Sequence, residues 1–101
     1  MEVKKYIQEN EARFMDELFS LIRIPSISAL PQHKDDMLAC AERWKELLLE
    51  AGADKAEVMP SAGNPLVYAE KHVSDDAPTV LIYAHYDVMP AEPLELWKSN
   101  P

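Results

Sequence analysis

The residues best suited to chemistry are His85 and Asp87, which directly follow an apolar run at residues 79–84. A neutral imidazole is a good ligand for zinc and similar ions, and a liganding histidine usually donates its other ring N–H to a carboxylate. Side chains two positions apart in a strand point the same way, so Asp87 can supply that carboxylate. Taken alone, the pattern His-x-Asp also fits a purely structural hydrogen bond at a strand end, and the flanking residues must distinguish the two.

The apolar run that precedes His85 predicts the strand that positions it. Residues 79–84 are apolar, β-branched and aromatic, and they are bounded by Pro78 upstream and by Pro90 and Pro93 downstream. Such a run is typical of a strand buried on both faces in the middle of an α/β sheet. Ligands bind at the C-terminal ends of strands in open α/β sheets, which places His85 and Asp87 at a binding edge.

Two helices and two further strands are predicted upstream. Apolar residues at helical spacing predict a first helix over residues 3–23, ended by Pro25, and a second over residues 33–51, followed by Gly52 as its C′ residue. Turn-rich residues 60–65 separate predicted strands at 55–59 and 66–71, which indicates an antiparallel pair. The predicted fold is therefore α/β, with two helices followed by three strands.

Composition narrows the class of protein. The 101 residues include 10 basic and 18 acidic side chains, a net charge of -8, which argues against nucleic acid or an anionic membrane as partner. The single cysteine, Cys40, excludes an internal disulfide and suits a reducing cytoplasm. No signal-peptide pattern follows the N-terminal residues, and no apolar stretch is long enough to span a bilayer. We therefore expect a cytoplasmic location.

Three segments together resemble the M20 family of zinc metallopeptidases. Residues 80–90 read Val-Leu-Ile-Tyr-Ala-His-Tyr-Asp-Val-Met-Pro and are followed by Trp97. Upstream, residues 24–28 (Ile-Pro-Ser-Ile-Ser) and 63–69 (Gly-Asn-Pro-Leu-Val-Tyr-Ala) also resemble segments of that family and occur in the same order along the chain. The form His-Tyr-Asp-Val-x-Pro with a later Trp looks more like the dipeptidase branch than the deacylases.

The resemblance implies a fold and a site. Residues 1–101 would be the N-terminal portion of a three-layer αβα catalytic domain. His85 would bind one zinc of a two-metal site, and Asp87 would serve catalysis by orienting that imidazole. The remaining ligands, the general base and a dimerisation domain would lie beyond Pro101. The implied substrate is a dipeptide or short peptide, and the resemblance allows a homodimer for the full-length protein.

Two alternatives stay open from the sequence. One is a non-catalytic fragment or interaction module, because a single histidine and one aspartate that does not bind metal cannot fill a zinc site. The other is an M20 deacylase of N-acyl amino acids. In either case, without further strands beside residues 79–84, an apolar face and a strand edge would be left bare, which favours association or aggregation.

Other candidate residues have simpler structural explanations. Ser26 lacks the Gly-x-Ser-x-Gly context of a nucleophile elbow, so a loop or cap role is the better interpretation. Acidic residues at a helix start are common for dipole reasons, and exposed loop acids and histidines are ordinary. Residues set aside on these grounds as metal ligands are His33, Asp35, Asp36, His72, Glu92 and Glu95. Cys40 and Trp44 are expected in the core, and by resemblance Trp97 is a packing anchor beside the substrate cleft.

Overall fold

Three α-helices and a two-stranded antiparallel sheet form the regular structure of residues 2–101, the part of the chain described by the computed structural model. The helices are α1 (Val3–Glu9), α2 (Glu11–Ile22) and α3 (Lys34–Glu50), and the strands are β1 (Lys55–Met59) and β2 (Leu66–Glu70). Short 3-10 turns cover Pro31–His33 and Leu94–Leu96. The chain is thus a small mixed helix and strand structure.

The N-terminal helix is interrupted, contrary to the prediction of one helix over residues 3–23. Asn10 ends α1 and begins α2, and its φ and ψ of -112° and 8° are not helical. Its side-chain amide donates to the carbonyl of Tyr6 at 2.9 Å. Asparagine competes with the helical ladder through such local bonds, which explains the break within an otherwise continuous apolar pattern.

Helix α3 follows the prediction closely, from the acids in its first turn to the glycine after its last. Asp35 and Asp36 lie in the first turn, and Gly52 adopts a positive φ of 103°. Backbone N–H groups of Gly52 and Ala53 donate to the carbonyls of Leu49 and Leu48, each at 3.0 Å. These are the paired bonds of a Schellman motif, which satisfies the last carbonyls of the helix.

The small core lies between α3 and the hairpin. Strands β1 and β2 form the predicted antiparallel pair, and the structure sets its register, with Glu57 opposite Tyr68. The residues along β1 alternate so that Ala56 and Val58 turn inward, as expected for a strand with one covered face. The buried apolar residues are Met37, Cys40, Ala41 and Ala56, and Trp44 is half-buried. The core placement of Cys40 is therefore confirmed.

The predicted third strand at residues 79–84 does not form in the structure. The segment has no regular secondary structure, and Val80, Leu81, Ile82 and Tyr83 are 79, 91, 87 and 88% exposed. A strand requires a neighbouring strand to accept its backbone hydrogen bonds, and the described residues provide none beside this run. The three-layer αβα arrangement is accordingly not formed by these residues.

The C-terminal segment, residues 91–101, is also mostly exposed. Trp97 is 53% exposed, so it is not the packing anchor that the resemblance implied. The radius of gyration is 16.5 Å, larger than the roughly 13 Å typical of a compact domain of about 100 residues. Within residues 2–101, no helix is both long and apolar enough to cross a membrane.

Candidate functional site

His85 and Asp87 form a hydrogen-bonded pair, as their spacing predicts. The His85 Nδ1 atom lies 2.9 Å from Asp87 Oδ1. An ionised carboxylate can only accept, so in the neutral imidazole the proton sits on Nδ1 and the lone pair on Nε2. The His85 side chain is 77% exposed, which leaves Nε2 open to solvent or to a ligand.

A second donor holds the same carboxylate. The Ser28 hydroxyl donates to Asp87 Oδ2 at 2.5 Å, while the His85 ring occupies Oδ1. The Ser28 hydroxyl first, and then the His85 ring, hold the pKa of Asp87 below its ordinary value. Asp87 therefore stays ionised and accepts a hydrogen bond at each oxygen, which restricts its rotation.

The site is attached to the helical part of the chain through the loop after α2. Ile27 and Val88 form an isolated parallel bridge, and the Val88 N–H donates to the carbonyl of Ser26 at 2.9 Å. The Ser26 hydroxyl donates in turn to the carbonyl of Tyr86, also at 2.9 Å. Residues 26–28 thus lie alongside residues 86–88.

Tyr86 points away from the pair and fastens the segment to the hairpin turn. Its hydroxyl donates to the carbonyl of Pro65 at 2.5 Å. Burial raises the pKa of the Tyr86 phenol, and burial likewise raises the pKa of the nearby Cys40 thiol. Both groups are therefore neutral at physiological pH, and they support the backbone of the site without contributing charge to it.

The residues present can supply one metal ligand. His85 has an open Nε2 and a carboxylate partner on its other nitrogen, the usual arrangement of a liganding histidine. Within residues 2–101, His, Cys, Asp and Glu side chains form no cluster of three or more that could hold a metal ion. A complete site would need ligands from outside the described residues, since zinc sites use three or four protein ligands.

Ser26 has a structural role. It is 1% exposed and its hydroxyl is bonded to the Tyr86 carbonyl, so it is not presented to a substrate. This agrees with the interpretation of a loop serine and gives no support to a nucleophile.

The other acids and histidines are engaged locally or exposed. His33, the residue before α3, lies 2.8 Å from the Asp36 carboxylate in the first turn of that helix. His72 lies near Asp75, with 3.2 Å between the imidazole Nε2 and the carboxylate, on an exposed loop. Glu92 and Glu95 are exposed. None of these groups lies in a cluster of metal-ligating side chains.

Sequence reasoning missed the role of Ser28. The side chain is half-buried and contacts Asp87 across a sequence separation of 59 residues. The available signal was the segment Ile-Pro-Ser-Ile-Ser at 24–28, which ends on this serine. Nothing in the spacing of that segment indicates which of its two hydroxyls reaches the carboxylate.

Comparison with known proteins finds a peptidase relative. Over 92 residues the chain is 33% identical to a cysteinylglycine-S-conjugate dipeptidase of Corynebacterium striatum. The match covers 91% of this chain and 20% of that protein, so the chain spans about a fifth of the relative's length. No family model matches the chain. No solved structure matches it either. The chain is thus similar to one part of a dipeptidase.

Proposed function

We propose that this chain contributes the first metal ligand of a zinc-dependent, dipeptidase-like hydrolase of the M20 type. The observation that carries the proposal is the bond between His85 Nδ1 and Asp87 Oδ1, which leaves Nε2 exposed and available to a metal. Similarity to a dipeptidase over 91% of the chain supports the same class of activity. The remaining ligands and the general base would come from residues outside this chain.

The roles of the two residues follow from their chemistry. His85 would hold the metal through Nε2, and Asp87 would accept the Nδ1 proton, orient the ring and make the imidazole more basic. A metal bound in such a site lowers the pKa of a bound water and polarises the scissile carbonyl. The low pKa of Asp87 keeps its carboxylate ionised, so it continues to accept from His85 at neutral pH.

The proposed substrate is a dipeptide or a short peptide. The relative is named for cysteinylglycine S-conjugates, so a dipeptide bearing a substituted cysteine is the first substrate to try. The unpaired, buried Cys40 is compatible with a reducing compartment such as the cytoplasm, which we propose as the location.

The test is made on the intact natural polypeptide that contains this chain, with metal content and dipeptide hydrolysis as readouts. Substituting His85→Ala should remove most of the activity and reduce bound zinc. Asp87→Ala should lower activity or metal affinity about 10- to 100-fold, as is typical for outer-shell partners. His72→Ala is the matched control, because His72 is an exposed histidine paired with a loop acid, and it should retain activity.

Two results would count against the proposal. Full activity in the His85→Ala protein would remove this residue from the site. A natural polypeptide that carries no metal and hydrolyses neither dipeptides nor N-acyl amino acids would favour a non-catalytic protein. Hydrolysis of N-acyl amino acids in preference to dipeptides would reassign the substrate class while retaining the metal role of His85.

A further inference from the structure

We propose that Ser28 is a positioning residue that orders the Asp87 carboxylate and, through it, selects the ring tautomer of His85. The inference rests on the proposed metal role of His85 for its functional meaning, but its physical content concerns only these three side chains. Three groups form one hydrogen-bonded series: the Ser28 hydroxyl donates to Asp87 Oδ2, and His85 Nδ1 bonds to Asp87 Oδ1.

Asp87 needs a second partner to hold its carboxylate in place because both it and His85 are exposed to water. The Asp87 side chain is 39% exposed and His85 is 77% exposed, so water competes for both oxygens and for both ring nitrogens. A carboxylate held by one exposed partner alone rotates freely and exchanges that partner with solvent. Two donors on opposite oxygens leave one orientation in which both bonds are made, and that orientation directs Oδ1 to His85.

Ser28 can act in this way because its own backbone is held in place. The neighbouring Ile27 forms the bridge to Val88, and the carbonyl of Ser26 accepts the Val88 N–H at 2.9 Å. These contacts with Val88, the residue after Asp87, hold the backbone next to Ser28 in place, and so fix the position of its hydroxyl. Water competes less for the hydrogen bond of the half-buried Ser28 than for that of the exposed His85, so the Ser28 bond is the more persistent of the two.

The consequence is a choice between two neutral forms of His85. With Asp87 fixed, the Nδ1–H form is bonded and Nε2 carries the lone pair that a metal requires. Without Ser28, Asp87 is free to turn its oxygens to water. The exposed imidazole then reverts to the Nε2–H form that histidines favour in solution, and the nitrogen facing outward is protonated.

The experiment is nitrogen-15 NMR of the 101-residue chain at a pH near 8.5, where histidines are neutral. Long-range proton–nitrogen correlations distinguish the two tautomers of each ring. We expect His85 as predominantly the Nδ1–H form in the native chain. His72, whose Nε2 faces Asp75, is the internal reference for the opposite form.

The decisive comparison is between Ser28→Thr and Ser28→Val, which differ only in a hydroxyl against a methyl group. Ser28→Thr should keep the Nδ1–H form dominant, and Ser28→Val and Ser28→Ala should lose that dominance. Ser74→Ala, a substitution of an exposed serine, should leave the His85 signals unchanged. Protection of the buried Cys40 from alkylation verifies that each variant is folded.

A His85 tautomer that is the same in folded Ser28→Thr and Ser28→Val chains would overturn the inference. In the natural polypeptide, Ser28→Val should lower kcat about tenfold or more, within the range of outer-shell partners, and Ser28→Thr should restore it. Because the NMR readout needs neither metal nor substrate, failure of the metal proposal and failure of the Ser28 proposal are separate results.

Discussion

The Ser26 hydroxyl donates to the carbonyl oxygen of Tyr86 at 2.9 Å, across a sequence separation of 60 residues. Ser26 is 1% exposed and Tyr86 is half-buried, so the donor of this bond is withdrawn from water. Ser26 directly precedes Ile27, and Tyr86 lies two residues before Val88, so the bond is adjacent to the Ile27 and Val88 bridge and to the site pair. The loop after α2 and the segment carrying His85 are therefore one structural unit.

Ser26→Ala should destabilise the chain. The Tyr86 carbonyl would keep only the weak donor Cys40 Sγ at 3.9 Å, and the loss of an intramolecular hydrogen bond typically costs about 0.5–1.5 kcal/mol. The measurement is the free energy of unfolding in urea. Ser74→Ala, at an exposed serine, should change it by less than about 0.5 kcal/mol. Equal unfolding energies for the two variants would mean that the Ser26 bond contributes nothing to stability.

Gly52→Ala should destabilise α3 although the added methyl group has room. No atom lies within 4 Å of the position of a Cβ at Gly52, but the φ of 103° is unfavourable for any residue with a side chain. The expected cost is about 1–2 kcal/mol. Gly63→Ala is the matched control, since Gly63 has no positive φ and its nearest neighbour is Ser61 Oγ at 4.0 Å. The measurement is the thermal unfolding midpoint of each variant. A Gly52→Ala chain as stable as the Gly63→Ala chain would contradict the strain argument.

Asp54 should make stability depend on pH in the acidic range. The Lys71 ammonium and then the backbone N–H of His72 lower its pKa below the ordinary value of 3.8. Because the folded-state pKa is depressed, the stabilisation is present above the unfolded value and is lost as pH falls through the folded value.

The check is urea unfolding of the native chain and of Asp54→Ala between about pH 2 and pH 7. The variant should be less stable at neutral pH, and the difference should shrink as pH falls below the ordinary value of 3.8 and through the lower pKa of the folded-state carboxylate. Asp76→Ala, at an exposed loop acid, should follow the native profile. A difference between native and Asp54→Ala chains that is the same at every pH would show that charge on Asp54 is not the cause.

The exposed run of Val80, Leu81, Ile82 and Tyr83 should make the isolated chain associate. Contiguous exposed apolar side chains favour contact between molecules, and backbone groups without strand partners can pair between copies. Leu81→Lys combined with Tyr83→Lys should shift the population toward monomer, as measured by analytical ultracentrifugation. Val73→Lys is the control, because Val73 is 79% exposed but lies outside this run. Monomer in the native chain at high concentration would contradict the prediction.

Features decided by neighbouring residues could be read from the sequence. The acids at the start of α3, the glycine after its end and the hairpin with its turn at residues 60–65 depend on local backbone preferences and short-range hydrogen bonds. The pairing of His85 with Asp87 also belongs to this group, because two side chains two positions apart can meet without help from the rest of the chain. Asn10 shows the limit of pattern reading, since apolar spacing continued through a residue whose side chain interrupts the helix.

Features decided by distant residues required the tertiary structure. An apolar, β-branched run at 79–84 carries a strand preference, but a strand exists only where another strand completes its hydrogen bonds, and the described residues offer none there. The contacts of Ser26 with Tyr86 and of Ser28 with Asp87 join positions about 60 residues apart. Their formation depends on how the chain closes that long loop, and no local spacing records it. The amino-acid sequence alone thus determined the chemical pair, and the tertiary structure decided which serine holds it in place.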